Sequence, residues 1–286
     1  MKHIFYVLSL LILFQNCGKD IGAPAYLEID TFILENNPNA VNLQGEMTHN
    51  FSDVWVFLNG DVIGVFELPC KIPLDMEGEK DLVIVAGVRK NGIAATKVRY
   101  PFVEQYRETI NLQRLETAKI TPRTKYFDEL NFWIEDFEDA AVRIESSIYS
   151  KAVLFKDNDP DILRYGNFFG RVNLTPTDSI WDAVTSELWN IPKGREVYIE
   201  LDVYSTNSLL TGIKAVNNLG FNANAHILVN PLKPAEVRWR KMYIDIREIV
   251  GYSVNYNNFA LMLTAVIDDI NTESFVCLDN IKLIHF

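Results

Sequence analysis

Hydrophobic and polar positions alternate along this chain over short runs, not over helical turns. Val54-Trp55-Val56-Phe57-Leu58, Leu82-Val83-Ile84-Val85 and Ala260-Leu261-Met262-Leu263 are dense in branched and aromatic side chains. From Val197 to Tyr204 the residues switch between apolar and polar through Ile199-Glu200-Leu201-Asp202-Val203. That two-residue period belongs to a strand with one buried face. Asn59-Gly60 separates two apolar runs and predicts a tight hairpin, because both residues tolerate the positive φ such turns require. Asn91-Gly92 repeats the device ahead of Ile93-Ala94-Ala95-Thr96. Long helical periodicity is absent, and only Arg247 to Val250 suggests a single helical turn. The pattern predicts an all-β protein built of β-sandwiches.

Strand spacing divides the chain. Residues 25–115 hold about seven short strands, enough for one immunoglobulin-like or fibronectin-like β-sandwich. Residues 116–130 are polar at first, contain Thr121-Pro122, and read as a linker or a swapped edge strand. From residue 131 to 286 the strands lengthen: Phe132–Phe137, Val142–Ser146, Phe168–Leu174, Val197–Tyr204, Leu210–Val216, Val237–Ile246, Phe259–Val266 and Phe275–Ile284. About eight strands of this kind fit a jelly-roll sandwich.

The first residues follow a different pattern. Lys2 and His3 precede an apolar run from Ile4 to Phe14 that stops at Gln15-Asn16-Cys17. Roughly twenty apolar residues are needed to span a membrane, so this run is a signal-peptide core and not an anchor. A Cys directly after such a run resembles a lipobox, with Gln15 and Asn16 replacing the usual small residues, as in lipoproteins of the Bacteroidota. The resemblance implies a signal peptide over residues 1–16, a diacylglycerol- and palmitate-bearing Cys17, and a tether over residues 17–24. It places the protein in the outer membrane. Gly18-Lys19-Asp20 resembles a short export signal for the cell surface, with the periplasmic face as the alternative. The other reading is an ordinary secretory signal with an incidental Cys.

Composition narrows the partners. The net charge is −11, with 38 acidic and 27 basic residues interspersed along the chain. Nucleic acid binding calls for clustered Lys and Arg on phosphates, and the sequence offers no such cluster. Beyond Cys17, Cys70 and Cys277 sit in separate halves and are expected as free thiols, the alternative being a disulfide.

Several motifs in the second half share an order with a known family. Trp133-Ile134-Glu135-Asp136-Phe137-Glu138 opens it and Leu278-Asp279-Asn280-Ile281-Lys282-Leu283 closes it. Between them stand Gly166-x-x-x-Gly170-x-Val172-x-Leu174 and Trp239-x-Lys241-x-Tyr243-Ile244-Asp245-Ile246. This set resembles the galactose-binding-like jelly rolls of carbohydrate-binding modules. The first half resembles the immunoglobulin-like part of Bacteroidota outer-membrane lipoproteins. The jelly-roll resemblance implies a structural calcium with Glu138 and Asp279 as ligands. The loop Asp157-Asn158-Asp159-Pro160-Asp161 also spaces carboxylates, but Ile162 stands where a calcium-binding EF-hand loop needs Gly; a solvated acidic turn is the alternative.

Catalytic constellations are missing from the sequence. No G-x-S-x-G, H-E-x-x-H, C-x-x-C or phosphate-binding loop occurs. Glu135 and Asp136 would face opposite sides of a strand, which does not suit a pair of glycosidase carboxylates. Aromatic side chains are the remaining binding chemistry. Trp181, Trp189, Tyr252 and Tyr256, the last two beside Asn255, Asn257 and Asn258, are candidate ligand-binding residues. Asp178-Ser179-Ile180 resembles a short O-glycosylation acceptor. The expected function is a non-catalytic, lipid-anchored accessory subunit of an envelope complex for β-barrel assembly, secretion or uptake. Such a protein needs an outer-membrane protein partner and no cofactor beyond the structural calcium. The alternative is a surface protein that binds glycans through its jelly roll.

Overall fold

In a computed structural model of the protein, residues 22–286 are described, so Cys17 and the signal segment lie outside the described residues. Strands dominate. The first unit holds β1 (Ala25–Ile29), β2 (Ile33–Glu35), β3 (Asp53–Leu58), β4 (Asp61–Glu67), β5 (Cys70–Leu74), β6 (Gly78–Arg89), β7 (Lys97–Arg99), β8 (Tyr106–Leu112), β9 (Thr117–Ile120) and β10 (Arg123–Lys125). One sheet runs β4-β3-β6-β7, with β8 on β6 as well; a second runs β5-β1-β9. Leu27 and Ile29 of β1 meet Val54, Val56, Ile84 and Ala86 in a shared core, so the two sheets form a sandwich. The Asn59-Gly60 turn forms as expected, with both residues at positive φ. Asn91-Gly92 also turns at positive φ, but residues 93–96 continue the turn and the strand begins only at Lys97.

The expected linker is not loose. Strand β9 pairs in parallel with β1, and β10 pairs in parallel with β2. Ile120, Tyr126 and Leu130 are buried in the first unit's core. The segment's polar residues face solvent on edge strands, which is why its composition resembles a connector.

The second unit comprises β11 (Asn131–Glu135), β12 (Ile144–Ser146), β13 (Leu154–Asp157), β14 (Phe169–Leu174), β15 (Ile180–Thr185), β16 (Trp189–Asn190), β17 (Val197–Ser205), β18 (Leu209–Asn217), β19 (Gly220–Val229), β20 (Arg240–Asp245), β21 (Asn258–Val266) and β22 (Ser274–His285). The one α-helix among the described residues, α1 (Arg247–Tyr252), falls at the expected helical turn. Two six-stranded sheets face each other as a jelly-roll-type sandwich. One runs β13-β14-β22-β17-β20 with β11 on β22; the other runs β12-β15-β21-β18-β19 with β16 on β21. Leu201, Val203 and Leu278 pack from the first sheet against Trp181, Leu261 and Leu263 from the second. Two glycines make room for the chain leaving β11. A Cβ on Gly170 would lie 2.4 Å from the Phe137 ring, and one on Gly166 would strike the Glu138 carboxylate.

The alternation of β17 predicts one wet face, yet nearly the whole strand is buried. The reason is tertiary: the first unit covers its polar face. Tyr198, Tyr243 and Ile284 of the second unit belong to the first unit's core. Across the covered face the register sets Lys282, Glu200 and Tyr243 side by side, and next to them Asp279, Asp202 and Lys241. Glu200 accepts hydrogen bonds from the Tyr100 and Tyr126 hydroxyls and stands 3.2 Å from Lys241 Nζ. Lys241 also donates to Thr48 Oγ1 (2.7 Å), and Lys282 donates to the Glu46 carbonyl. These groups are almost fully buried; Glu200, Lys241 and Lys282 are hydrogen-bonded, as burial demands, whereas among the described residues Asp202 Oδ2 has no hydrogen bond and only Lys241 at 3.6 Å.

Candidate functional site

The most exposed aromatic side chain, Tyr252, stands at one edge of the second sandwich; Tyr149 and Phe155 are exposed elsewhere, near β12 and β13. Strand β19 closes its sheet with no further neighbour. Asn222 and Asn224 pair across from Ala215 and Ile213, on the inward side of β18. At this rim α1 and the loop after it stand opposite them. Between these elements lies a groove of 410 Å³ lined by Asn222, Asn224, Tyr252, Val254, Asn255 and Tyr256, among others.

The loop is held in place by its own hydrogen bonds. Ser253 ends the helix by donating its hydroxyl to the Ile249 carbonyl at 2.8 Å. Val254 N–H then donates to Tyr252 O, and Tyr256 N–H to Ser253 O. Two side chains reach across to pin the backbone: Lys193 Nζ donates to Val254 O (2.8 Å) and Asn217 Nδ2 to Asn255 O (3.0 Å). Val250 anchors the helix in the core and Tyr256 packs against it. Tyr252 is left 84 % exposed at the lip. Among the described residues the side-chain amides of Asn222 and Asn224 have no hydrogen-bond partner. A rigid loop therefore offers one open ring, one half-buried ring and free amide donors and acceptors. Such a surface can stack on an apolar ring face and hydrogen-bond its hydroxyls.

The other candidate aromatics lie elsewhere. Trp181 is fully buried on β15, whose odd-numbered positions face the core, and its indole donates to Ser146 Oγ at 3.2 Å. Trp189 is 6 % exposed and packs on Trp133 with ring centroids 5.0 Å apart. Both are core residues, because the inward face of the sandwich takes the largest apolar side chains. They cannot form a sugar platform. Asn222 and Asn224 were not foreseen; the turn-rich Asn217-Asn218-Leu219-Gly220 ahead of them was the available signal of a hairpin.

The calcium pair fares differently. Strands β11 and β14 both pair with β22, near its two ends, and the chain leaving β11 carries Glu138. Glu138 already accepts three N–H groups: Asn167 N (2.6 Å), Asn167 Nδ2 (2.8 Å) and Phe168 N (2.9 Å). Burial raises its pKa, but these hydrogen bonds outweigh that and hold it low. Asp279 is buried, accepts from Asn280 N–H (2.7 Å), and is pushed up to about 8 chiefly by burial, with Asp202 adding to the rise. Among the described residues no three carboxylate, His or Cys side chains gather as a cation cage. Calcium takes six or more oxygens, roughly, so the donor set here does not fit it. In the acidic loop, Asp157 and Asp159 accept backbone N–H groups within the turn, and Asp157 pairs with Arg171 at 2.9 Å. Glu135 is likewise structural: it accepts from Phe137 N–H and Arg143 N–H and is buried. Cys70 and Cys277 are free thiols.

No family model matches the chain, and no curated protein matches it. Solved structures are similar in outline. A carbohydrate-binding module of the β-sandwich superfamily has 13% identity over 80% of this chain and 83% of that chain, with a TM-score of 0.39. A family 27 module of Caldicellulosiruptor saccharolyticus in complex with mannohexaose has 13% identity over 53% of this chain and 96% of its own, with a TM-score of 0.37. The family 11 module of a Clostridium thermocellum cellulosomal cellulase has 15% identity over 55% of this chain and 95% of its own, with a TM-score of 0.36. At such low similarity the functional reading rests on the geometry of the site.

Proposed function

We propose that this chain is a non-catalytic glycan-binding protein, tethered through lipid on Cys17 to the outer membrane and facing the cell surface. The observation that carries the reading is the pinned loop that presents Tyr252 beside the unpartnered amides of Asn222 and Asn224. Sugar rings stack on such an aromatic face, and their hydroxyls match amide donors and acceptors. A preformed loop also spares the ordering cost of binding. Two acyl chains hold a protein firmly on a bilayer where one does not, and the tether raises the local concentration of a weak binder. The test is a glycan array followed by titration of a hit. Tyr252→Ala is expected to weaken binding about tenfold or more, the loss expected for one anchoring aromatic contact. An array without hits, or a hit indifferent to Tyr252→Ala, overturns the assignment to this groove. Cys17→Ala should release the protein from membranes and abolish labelling by a palmitate analogue.

A second reading, an accessory subunit of an envelope complex, is favoured by one specific feature. The outer face of the β12-β15-β21-β18-β19 sheet places Val184, Met262, Leu210 and Leu228 together, with Phe221 63 % exposed at its edge. Lys214 lies over the Phe221 ring at 4.4 Å, and Val184, Met262 and Leu210 are half-buried. Crosslinking in native outer membranes tests this reading: an outer-membrane protein trapped through this face supports it, and recovery of the lone chain opposes it.

A further inference from the structure

A second cleft, far from the Tyr252 groove in its chemistry, lies between the two units. It has a volume of 480 Å³ and is walled by residues 48–50 and the β6–β7 turn on one side, and by the start of β20 and the loop at Arg164-Tyr165 on the other. In a chain with a net charge of −11, this cleft collects cations. Arg164, Arg238 and Arg240 all line it, and among the described residues none of the three forms an ion pair. Elsewhere in the cleft the charges are met: Arg89 pairs with Glu67 at 2.6 Å, and Lys241 stands 3.6 Å from Asp202, the one acidic residue in the lining.

The guanidiniums are held by neutral groups. Arg238 donates to the Glu236 carbonyl (3.2 Å), Arg240 donates to the Asn230 carbonyl (2.7 Å), and Arg164 lies over the Tyr165 ring at 5.0 Å. Arg240 Nε is buried and has no hydrogen-bond partner. Burial and then the neighbouring Arg238 lower the pKa of Arg240, so the two like charges stand together at a cost. A buried, unpartnered donor beside an uncompensated like charge is an unfavourable arrangement that an oxyanion relieves. Aromatic surface completes the site. Trp239 is fixed by donating its indole N–H to the Ile162 carbonyl (2.7 Å) and by packing on Phe169 and Tyr204, and it remains half-buried. His49 stacks on Phe51 at 4.7 Å at the cleft wall, and burial lowers its pKa.

We infer that the cleft between the units binds the oxyanion groups of an acidic saccharide, with Arg164, Arg238 and Arg240 receiving carboxylate or sulfate and Trp239 receiving a sugar face. The oxyanion site stands on the arginines alone; only the saccharide backbone rests on the glycan-binding reading. Calorimetry with the full chain tests it, using tetragalacturonate, a carrageenan tetrasaccharide and neutral galactotetraose as probes. The expected result is binding of at least one acidic probe, weakened by salt and reduced about tenfold or more by Arg238→Gln with Arg240→Gln. Which acidic probe binds distinguishes carboxylate from sulfate. Should the double variant not fold, Arg164→Gln on the exposed loop must weaken the same binding. Acidic probes that bind no better than galactotetraose, or binding that none of these substitutions changes, overturn the inference. Tyr252→Ala separates the two sites: acidic binding that survives it, beside neutral binding that does not, assigns each ligand to its own site.

Discussion

The two outer faces of the second sandwich invert the usual relation between polarity and burial. The face over β22, β17 and β20 carries Glu200, Asp202, Lys241 and Lys282, and it is buried under the first unit. The face over β15, β21 and β18 carries Val184, Met262 and Leu210 among Asp182, Thr264 and Lys214, and it stays partly open. Most of the covered charges are partnered: Glu200 by two tyrosine hydroxyls and Lys241, and Lys282 by a backbone carbonyl, while among the described residues Asp202 Oδ2 has only Lys241 at 3.6 Å. A polar interface of this kind gives orientation more than it gives strength, because the pairing geometry is exacting while desolvation offsets most of the attraction. The open apolar face needs no partner to fold.

The largest effect should come from breaking the covered network. Lys241→Met leaves Glu200 and Asp202 buried without their cation and is expected to cost about 3–5 kcal/mol in denaturant unfolding. An unchanged midpoint would mean that water reaches this interface. The next effect is in pH. The Asp279 carboxyl, raised to about 8 by burial, keeps a proton in the folded state that the unfolded chain has released. Its contribution is full at acid pH and is lost as pH climbs from the ordinary carboxylate range to about 8. Lys282, lowered to about 8 by burial and then by Lys241, acts with the opposite sign: its penalty is present below that pH and lifts above it. Asp279→Asn keeps an acceptor for Asn280 N–H and cannot ionise. Its melting temperature should gain on the parent chain between about pH 5 and pH 8, and a constant difference would place Asp279 in water. On the open face, Met262→Asp should change stability by no more than about 0.5 kcal/mol while removing any crosslinked partner. A large destabilisation would show that this face is covered by the chain itself. Tyr252→Ala should be the mildest to the fold, again within about 0.5 kcal/mol, with its whole effect on glycan binding.

Much of the fold was legible because strand periodicity is local. The expected Leu210–Val216 and Phe275–Ile284 appear as β18 and β22, each longer by a residue at both ends. Strand β19 does not stand out in the sequence because Gly220, Asn222 and Asn224 are poor strand formers and Ala223 and Ala225 are small, although Phe221 to His226 alternates and backbone pairing with β18 carries the strand through. Of the candidate site, Tyr252, Tyr256 and Asn255 share one polar loop, as their closeness in sequence implies. Trp181 and Trp189 lie in the core instead, since a tryptophan's exposure depends on which side of the sheet its register selects. Glu138 was assigned to a metal by motif, yet its oxygens are taken by the backbone of residues 167 and 168, a loop nearly thirty positions away.

By itself, the sequence determined most of the strands, the Asn59-Gly60 turn and the all-β class, because each depends on neighbours within a few residues. Tertiary structure decided that residues 116–130 form edge strands and not a linker, that the polar side of β17 is dry, and that three arginines share a cleft without acidic partners. Those outcomes depend on contacts between residues as much as two hundred positions apart, such as Lys282 with Glu46, which no local pattern encodes.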